Sequence, residues 1–101
     1  GKHYFEHYSQ RLRIFYTGIA GMEEKAARAI LRKVSRGEHY PIDLAFEIFE
    51  QETGIADYER FMDLIADLEN DFYIENKTLK GLTFYSKMLR DWWRLYHGGI
   101  E

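Results

Sequence analysis

Apolar side chains recur along this chain at two different periods. Over residues 4–16, YFEHYSQRLRIFY, Tyr4, Phe5, Tyr8, Leu12, Phe15 and Tyr16 return every three or four positions. That spacing gathers side chains on one face of an α-helix. Gly18 and Gly21 end the pattern, as glycines in a turn do. A second helix, EEKAARAILRKVSRG, has its acids in the first turn and Lys33, Arg36 and Gly37 at its close, the order favoured by the helix dipole and a glycine cap. Ala26, Ala27, Ile30, Leu31 and Val34 are its apolar stripe. Pro41, the only proline, stands before IDLAFEIFEQETG, where a first-turn proline belongs. Leu44, Ala45, Ile48 and Phe49 are the expected buried face of that third helix, with Gly54 at its end. Asp57 is the expected N-cap of DYERFMDLIADLEND, which turns Tyr58, Phe61, Leu64, Ile65 and Leu68 inward.

The period changes at residue 72. FYIE and LTFY are short β-branched and aromatic runs joined by NKTLKG, which predicts a hairpin with strands at 72–75 and 82–85. SKMLRDWWRLYH then returns to the helical period, with Ser86 as N-cap. The expected fold class is mainly α with a small antiparallel β-hairpin. Three helices followed by a two-stranded wing is the winged helix-turn-helix plan. Residues 22–85 would be that core, in a single domain over 1–101, with an extra flanking helix at each end (4–16 and 86–97).

At 101 residues the chain can build one core but has little to spare for a buried catalytic cavity. Aromatic residues make up 17% of it, so both core and contact surface should be aromatic. The absence of cysteine removes a disulfide framework and a thiolate metal site and fits a cytoplasmic location. Neither a run of about 18 apolar residues nor a signal peptide occurs, so no membrane partner is expected. The chain starts Gly1-Lys2-His3. A leading glycine is what a cleaved expression tag often leaves, and the chain is read as a piece of a longer protein.

The net charge of −3 matters less than its distribution. The helix over 57–71, which would enter the major groove in a DNA-binding winged helix, carries Asp57, Glu59, Asp63, Asp67, Glu69 and Asp71 against Arg60 alone. The helix before it adds Asp43, Glu47, Glu50 and Glu52. Such a surface repels the phosphates that supply most DNA affinity. The cations lie elsewhere: Lys25, Arg28, Arg32, Lys33 and Arg36 on the first core helix, and Lys77 and Lys80 at the wing tip. They read as a solvated face; the alternative is a nucleic-acid-binding winged helix that meets the DNA backbone through the wing and these helix-one cations, with Lys77 and Lys80 as the candidate phosphate-backbone contacts.

Chemistry-bearing patterns are sparse. HYFEH, residues 3–7, matches the H-x-x-E-H zinc peptidase pattern, with His3 and His7 one turn apart and Glu6 as a base. Coincidence on a polar helix edge is the favoured reading of so short a match, and no metal site is expected. His39 and His97 stand singly beside helices. There is no phosphate loop and no nucleophile pattern, so no catalytic residue is assigned and the chain is not expected to be an enzyme by itself.

LENDFYIE (68–75) and LTFYSKMLRDWWRLYHG (82–98) resemble the C-terminal region of a group of bacterial and archaeal AAA-type ATPases. In these an N-terminal P-loop ATPase domain precedes a winged-helix domain. Phe84, Ser86, Leu89, Arg90, Trp92 and Trp93 match the motif of the helix after the wing. The resemblance is close over 68–98 and thinner over 22–67. It implies an accessory domain that contacts its own ATPase domain or another protomer. ATP and magnesium would belong to the missing ATPase domain, so this chain would hold no cofactor.

The adjacent Trp92 and Trp93 pose the sharpest question, because neighbouring helix positions diverge by about 100°. Trp93 shares a stripe with Leu89, Tyr96 and Ile100, and Trp92 with Met88, Leu89 and Tyr96. Trp92, Trp93 and Tyr96 are the candidate interaction residues: either both indoles are core, or, as expected, Trp93 is the inner ring and Trp92 lies on a contact surface for the ATPase domain or for a homodimer of the fragment. Stacking on single-stranded bases, aided by Lys87, Arg90 and Arg94, is a third and weaker reading.

Overall fold

A computed structural model describes residues 3–99. It is mainly helical, with five helices and a two-stranded antiparallel hairpin among those residues. The order is α1 (Glu6–Phe15), α2 (Met22–Val34), α3 (Ile42–Thr53), α4 (Tyr58–Asn70), β1 (Ile74–Lys77), β2 (Gly81–Phe84) and α5 (Lys87–His97). The Ile100 expected on the Trp93 stripe lies outside the described residues.

α2 is the axle. Ala26, Ala27, Ile30, Leu31 and Val34 are all essentially inaccessible to solvent, and α1, α3, α4, β2 and α5 all pack against it. Its two alanines let α3 approach closely, and that is the most extensive helix pairing in the molecule. Phe49 from α3 and Phe61, Leu64, Ile65 and Leu68 from α4 fill the space on that side. Tyr73, Ile74, Leu82, Phe84, Leu89 and Trp93 close the other.

The helix ends follow local chemistry. Asp57 accepts from the Arg60 N–H, and Ser86 from the Leu89 N–H, which satisfies one orphan donor in each first turn. Gly54 caps α3 in the left-handed region at φ 73. Pro41 is the residue that precedes α3 rather than part of its first turn. α2 ends at Val34 and tightens through Arg36 N–H to Lys33 O and Gly37 N–H to Val34 O, so the left-handed glycine cap expected at Gly37 is not used.

The hairpin pairs Ile74 with Phe84 and Lys77 with Gly81. Its strands start and end later, or earlier, than the sequence pattern suggests, because Phe72 and Tyr85 lie outside the ladder. Phe72 has φ 66. It closes α4 with Tyr73 N–H on Leu68 O and Phe72 N–H on Glu69 O, the pair of bonds of a Schellman turn. Tyr40 adds a bridge that periodicity did not reveal, exchanging two backbone bonds of 2.8 and 2.7 Å with Leu82. This bridge explains Gly81: at φ 110, a Cβ there would lie 2.5 Å from the Tyr40 carbonyl oxygen.

Several expected core positions face solvent instead. Tyr4, Phe15, Leu44 and Tyr58 are 72%, 63%, 43% and 48% exposed. α1 covers only one flank of the domain, so a single narrow stripe, Leu12 with the following Tyr16, is enough to seat it. Tyr58 lies against Phe46 and Phe61 from outside, with ring centroids 5.1 and 5.7 Å away.

Polar bonds fasten α1. Arg28 of α2 donates to Glu24, to the Ser9 hydroxyl at 3.0 Å and to the Ser9 carbonyl at 2.8 Å. The Tyr16 hydroxyl donates to Asp71 Oδ2 at 2.7 Å while Arg11 holds Oδ1 at 3.1 Å. The Tyr73 hydroxyl donates to the Tyr8 carbonyl at 2.6 Å. Burial pushes both phenols well above the usual tyrosine range, helped for Tyr16 by its bond to Asp71 and for Tyr73 by the nearby Asp71 charge. A folded-state pKa above the unfolded one stabilises the fold fully below the unfolded value of about 10, and that contribution is lost as pH rises beyond it. Stability should therefore fall steeply above about pH 10. Denaturant titrations of Tyr73→Phe should give a shallower alkaline slope, by about one proton, despite a loss of roughly 1 kcal/mol at neutral pH from its missing hydrogen bond.

Candidate interaction surface

α5 follows Phe84, the last residue of β2, and is started by the Ser86 cap, which fixes how its faces fall. Leu89 and Trp93 are fully buried and Trp92 is 6% exposed. Trp93 sits on Tyr73 and Phe84, with ring centroids 6.2 Å from each, so its assignment as the inner tryptophan holds. The expectation of an exposed Trp92 does not. The chain entering α1 folds over it, placing Phe5 6.0 Å from its ring, with Tyr4 stacked edge-on to Phe5 at 4.7 Å. Both tryptophans are core because two separate elements, the hairpin and the start of α1, cover adjacent sides of one helix. His97 sits 5.0 and 4.9 Å from the two indoles. The Trp93 Nε1–H is buried and meets no hydrogen-bond acceptor among the described residues.

The outer surface of α5 belongs to other residues. Met88 and Leu95, seven positions apart and so on one flank, are 69% and 73% exposed, and Tyr96 is 40% exposed beside Trp92. Phe72 and Tyr85 stand in the turns before β1 and α5 and stack on each other at 5.2 Å, each 54% exposed. Phe72 is a non-glycine residue in the left-handed region, which costs of order 1–3 kcal/mol. A glycine would satisfy that backbone without strain, so the aromatic ring is retained at a cost in stability. Among the expected interaction residues, only Tyr96 is substantially exposed. Met88, Leu95, Phe72 and Tyr85 were missed; for the first two the signal was the α5 helical wheel, on which Met88 and Leu95 fall about 20° apart, beside the buried face of Leu89, Trp92 and Trp93.

The cations are largely committed within the fold. Arg36 donates to the Gly98 carbonyl at 3.0 Å and Arg94 to the Ser35 carbonyl at 2.9 Å, a reciprocal clamp between the ends of α2 and α5. Arg90 bonds Asp91, and Lys77 pairs with Glu75 at 3.0 Å. Lys80 is exposed beside Leu79 at the hairpin tip. The acidic side is real: Glu59, Asp63 and Asp67 are exposed along α4. Loss of hydration raises the Asp67 pKa above the usual carboxylate value, and the Asp71 and Asp63 charges add to the shift.

At the H-x-x-E-H pattern, His7 is exposed and stacks on Tyr8 at 4.4 Å, while one Glu6 carboxylate oxygen is buried without a hydrogen-bond donor among the described residues. Among the described residues no three His, Cys, Asp or Glu side chains converge as a metal site would require. No helix among them is long and apolar enough to cross a membrane.

Comparison with protein-family profiles, curated proteins and solved structures gives no match to this chain.

Trp93→Ala should cost about 3–5 kcal/mol in chemical denaturation, as for a buried large aromatic. Trp92→Ala should also destabilise clearly, since its ring is covered by Phe5. Met88→Ser and Leu95→Ser should each change stability by no more than about 0.5 kcal/mol.

Proposed function

We propose that this chain is a non-catalytic accessory domain of winged helix-turn-helix form, belonging to an AAA-type ATPase and making interdomain or protein–protein contacts. The element order supports the form: α2, α3 and α4 lead into the β1–β2 wing, with α1 and α5 flanking. The resemblance of the wing and following helix to those ATPases supports the parentage. In this structure the shared motif consists largely of residues that build α5. Phe84 packs on Trp93, Ser86 caps the helix, and Leu89, Trp92 and Trp93 are its buried face. ATP and magnesium belong, in this reading, to the ATPase domain.

The observation that carries the contact role is the apolar flank of α5, Met88 and Leu95, with the strained Phe72 and its partner Tyr85 nearby in sequence. Large apolar side chains grouped on a surface favour a protein partner, and aromatic anchors dominate such contacts. A DNA-reading role has less support. α4 offers carboxylates where a reading helix needs cations, and Lys77 is paired with Glu75.

The test is binding of the ATPase domain, encoded upstream, to this domain and to its Met88→Asp/Leu95→Asp variant. The variant should keep its melting temperature within a few degrees and bind at least about tenfold more weakly, a loss of about 1.4 kcal/mol. Unchanged binding would remove α5 as the docking flank. An upstream sequence with no phosphate-binding loop would remove the parentage.

A further inference from the structure

The outer edge of β2 is only partly used. The Tyr85 N–H donates to the Tyr73 carbonyl. Bonded and non-bonded pairs alternate along an antiparallel ladder, so the next pair, Ile74 and Phe84, face each other without exchanging backbone bonds. The N–H and C=O of Phe84, and of Leu82 two residues before it, therefore point away from β1. Leu82 gives both of these groups to Tyr40, at 2.8 and 2.7 Å. Phe84 has the same orientation, and among the described residues nothing bonds its N–H or its C=O. Phe84 is 5% exposed, and backbone groups this buried are ordinarily paired.

The path of the chain before Tyr40 leaves this edge open. Antiparallel pairing carried two residues further would set Glu38 opposite Phe84, yet no backbone bond joins them. A hollow of about 280 Å³ lies there instead, with Glu38 and His39 on one wall and β2 and the start of α5 on the other. Apart from His39, its charges balance: Lys87 and Arg90 stand against Glu38 and against Asp91, which accepts from Arg90 at 3.2 Å. A balanced rim gives a phosphate no net attraction and suits a neutral peptide group.

We propose that this hollow receives an extended segment of a partner protein, one residue of which exchanges two backbone bonds with Phe84 as Tyr40 does with Leu82. The mode is strand addition, in which main-chain bonds hold the segment and neighbouring side chains select it. Thr83 and the half-exposed Tyr85 border the same hollow and supply that selection. A second copy is a poorer occupant. Its own β2 edge is flanked by Tyr40 on one side and by α5 on the other, and two such edges cannot close to the strand spacing of about 4.8 Å. The proposal concerns backbone groups of β2, not the apolar flank of α5, and does not rest on the ATPase reading.

The experiment is amide NMR with hydrogen exchange on the 101-residue chain, titrated with an end-blocked pentapeptide of alternating threonine and valine. The peptide should shift the Phe84 amide signal and slow its exchange at least about tenfold at saturation, while Leu82, already bonded, changes little. A copy methylated on every peptide nitrogen keeps the side chains, loses the donors, and should bind at least about tenfold more weakly. Thr83→Trp keeps a strand-forming residue and fills the hollow, so it should weaken binding to a similar degree. Should that variant melt early, His39→Trp blocks the hollow from its exposed loop wall. No change at Phe84 with millimolar peptide, equal binding of the methylated copy, or binding untouched by either variant would overturn the proposal. A Phe84 amide already protected without peptide would overturn it by showing that Glu38 closes on the edge. Protection that appears with self-association would overturn it in favour of a second copy. Duplex DNA that shifts Lys87 where the peptide shifts nothing would overturn it in favour of a phosphate site.

Discussion

The fold is arranged around the apolar stripe of α2, against which α1, α3, α4, β2 and α5 all pack. Ala26, Ala27, Ile30, Leu31 and Val34 are inaccessible while Met22 and Lys25 on its other faces stay exposed, and the neighbours that cover the stripe come from both directions along the chain. Ala26 and Ala27 admit α3 at close range. Ile30, Leu31 and Val34 need cover that the three-helix core cannot supply alone, and β2 and α5 provide it. Polar residues on and just after α2 carry the same logic: Arg28, at its middle, grips α1 through Ser9, and Arg36, past its C-terminus, reaches the carbonyl just after α5. A large share of the positive charge on this helix is thus spent inside the molecule, which limits how much of it can meet phosphate.

α5 illustrates how aromatic content is divided between stability and contact. Its tryptophans are core because the hairpin covers one and the chain entering α1 the other. Met88 and Leu95 on the same helix are exposed, and Phe72 is held in a backbone conformation that a glycine would adopt more easily. In the proposed reading, the tryptophans build the helix and the simpler side chains meet the partner.

Local signals in the sequence were strong where a single residue decides the outcome. Asp57, Ser86 and Gly54 stop or start helices through bonds spanning at most four residues, and all three positions could be read from the pattern. Contacts between distant segments could not. The Tyr16–Asp71 bond spans 55 positions, and the Tyr40–Leu82 bridge leaves no periodic trace. Trp92 was misread for the same reason: a helical wheel shows which faces diverge but not that Phe5 returns to cover the second one. Phe72 was misread as strand because its aromatic character suits a strand, while its backbone is fixed by the closing turn of α4. Of the surface, the acidic ridge was legible from charge alone, and the apolar flank of α5 was hidden behind the more conspicuous tryptophans.

The central claim is that this surface is built to meet protein rather than phosphate. Fluorescence anisotropy of a labelled DNA duplex, titrated with the chain at physiological salt, tests it most directly. The account predicts binding no tighter than the non-specific range of about 10⁻⁴–10⁻⁶ M, with no preference among sequences. Binding well below that range, lost in Lys77→Ala/Lys80→Ala, would contradict it and make the hairpin tip a nucleic-acid contact.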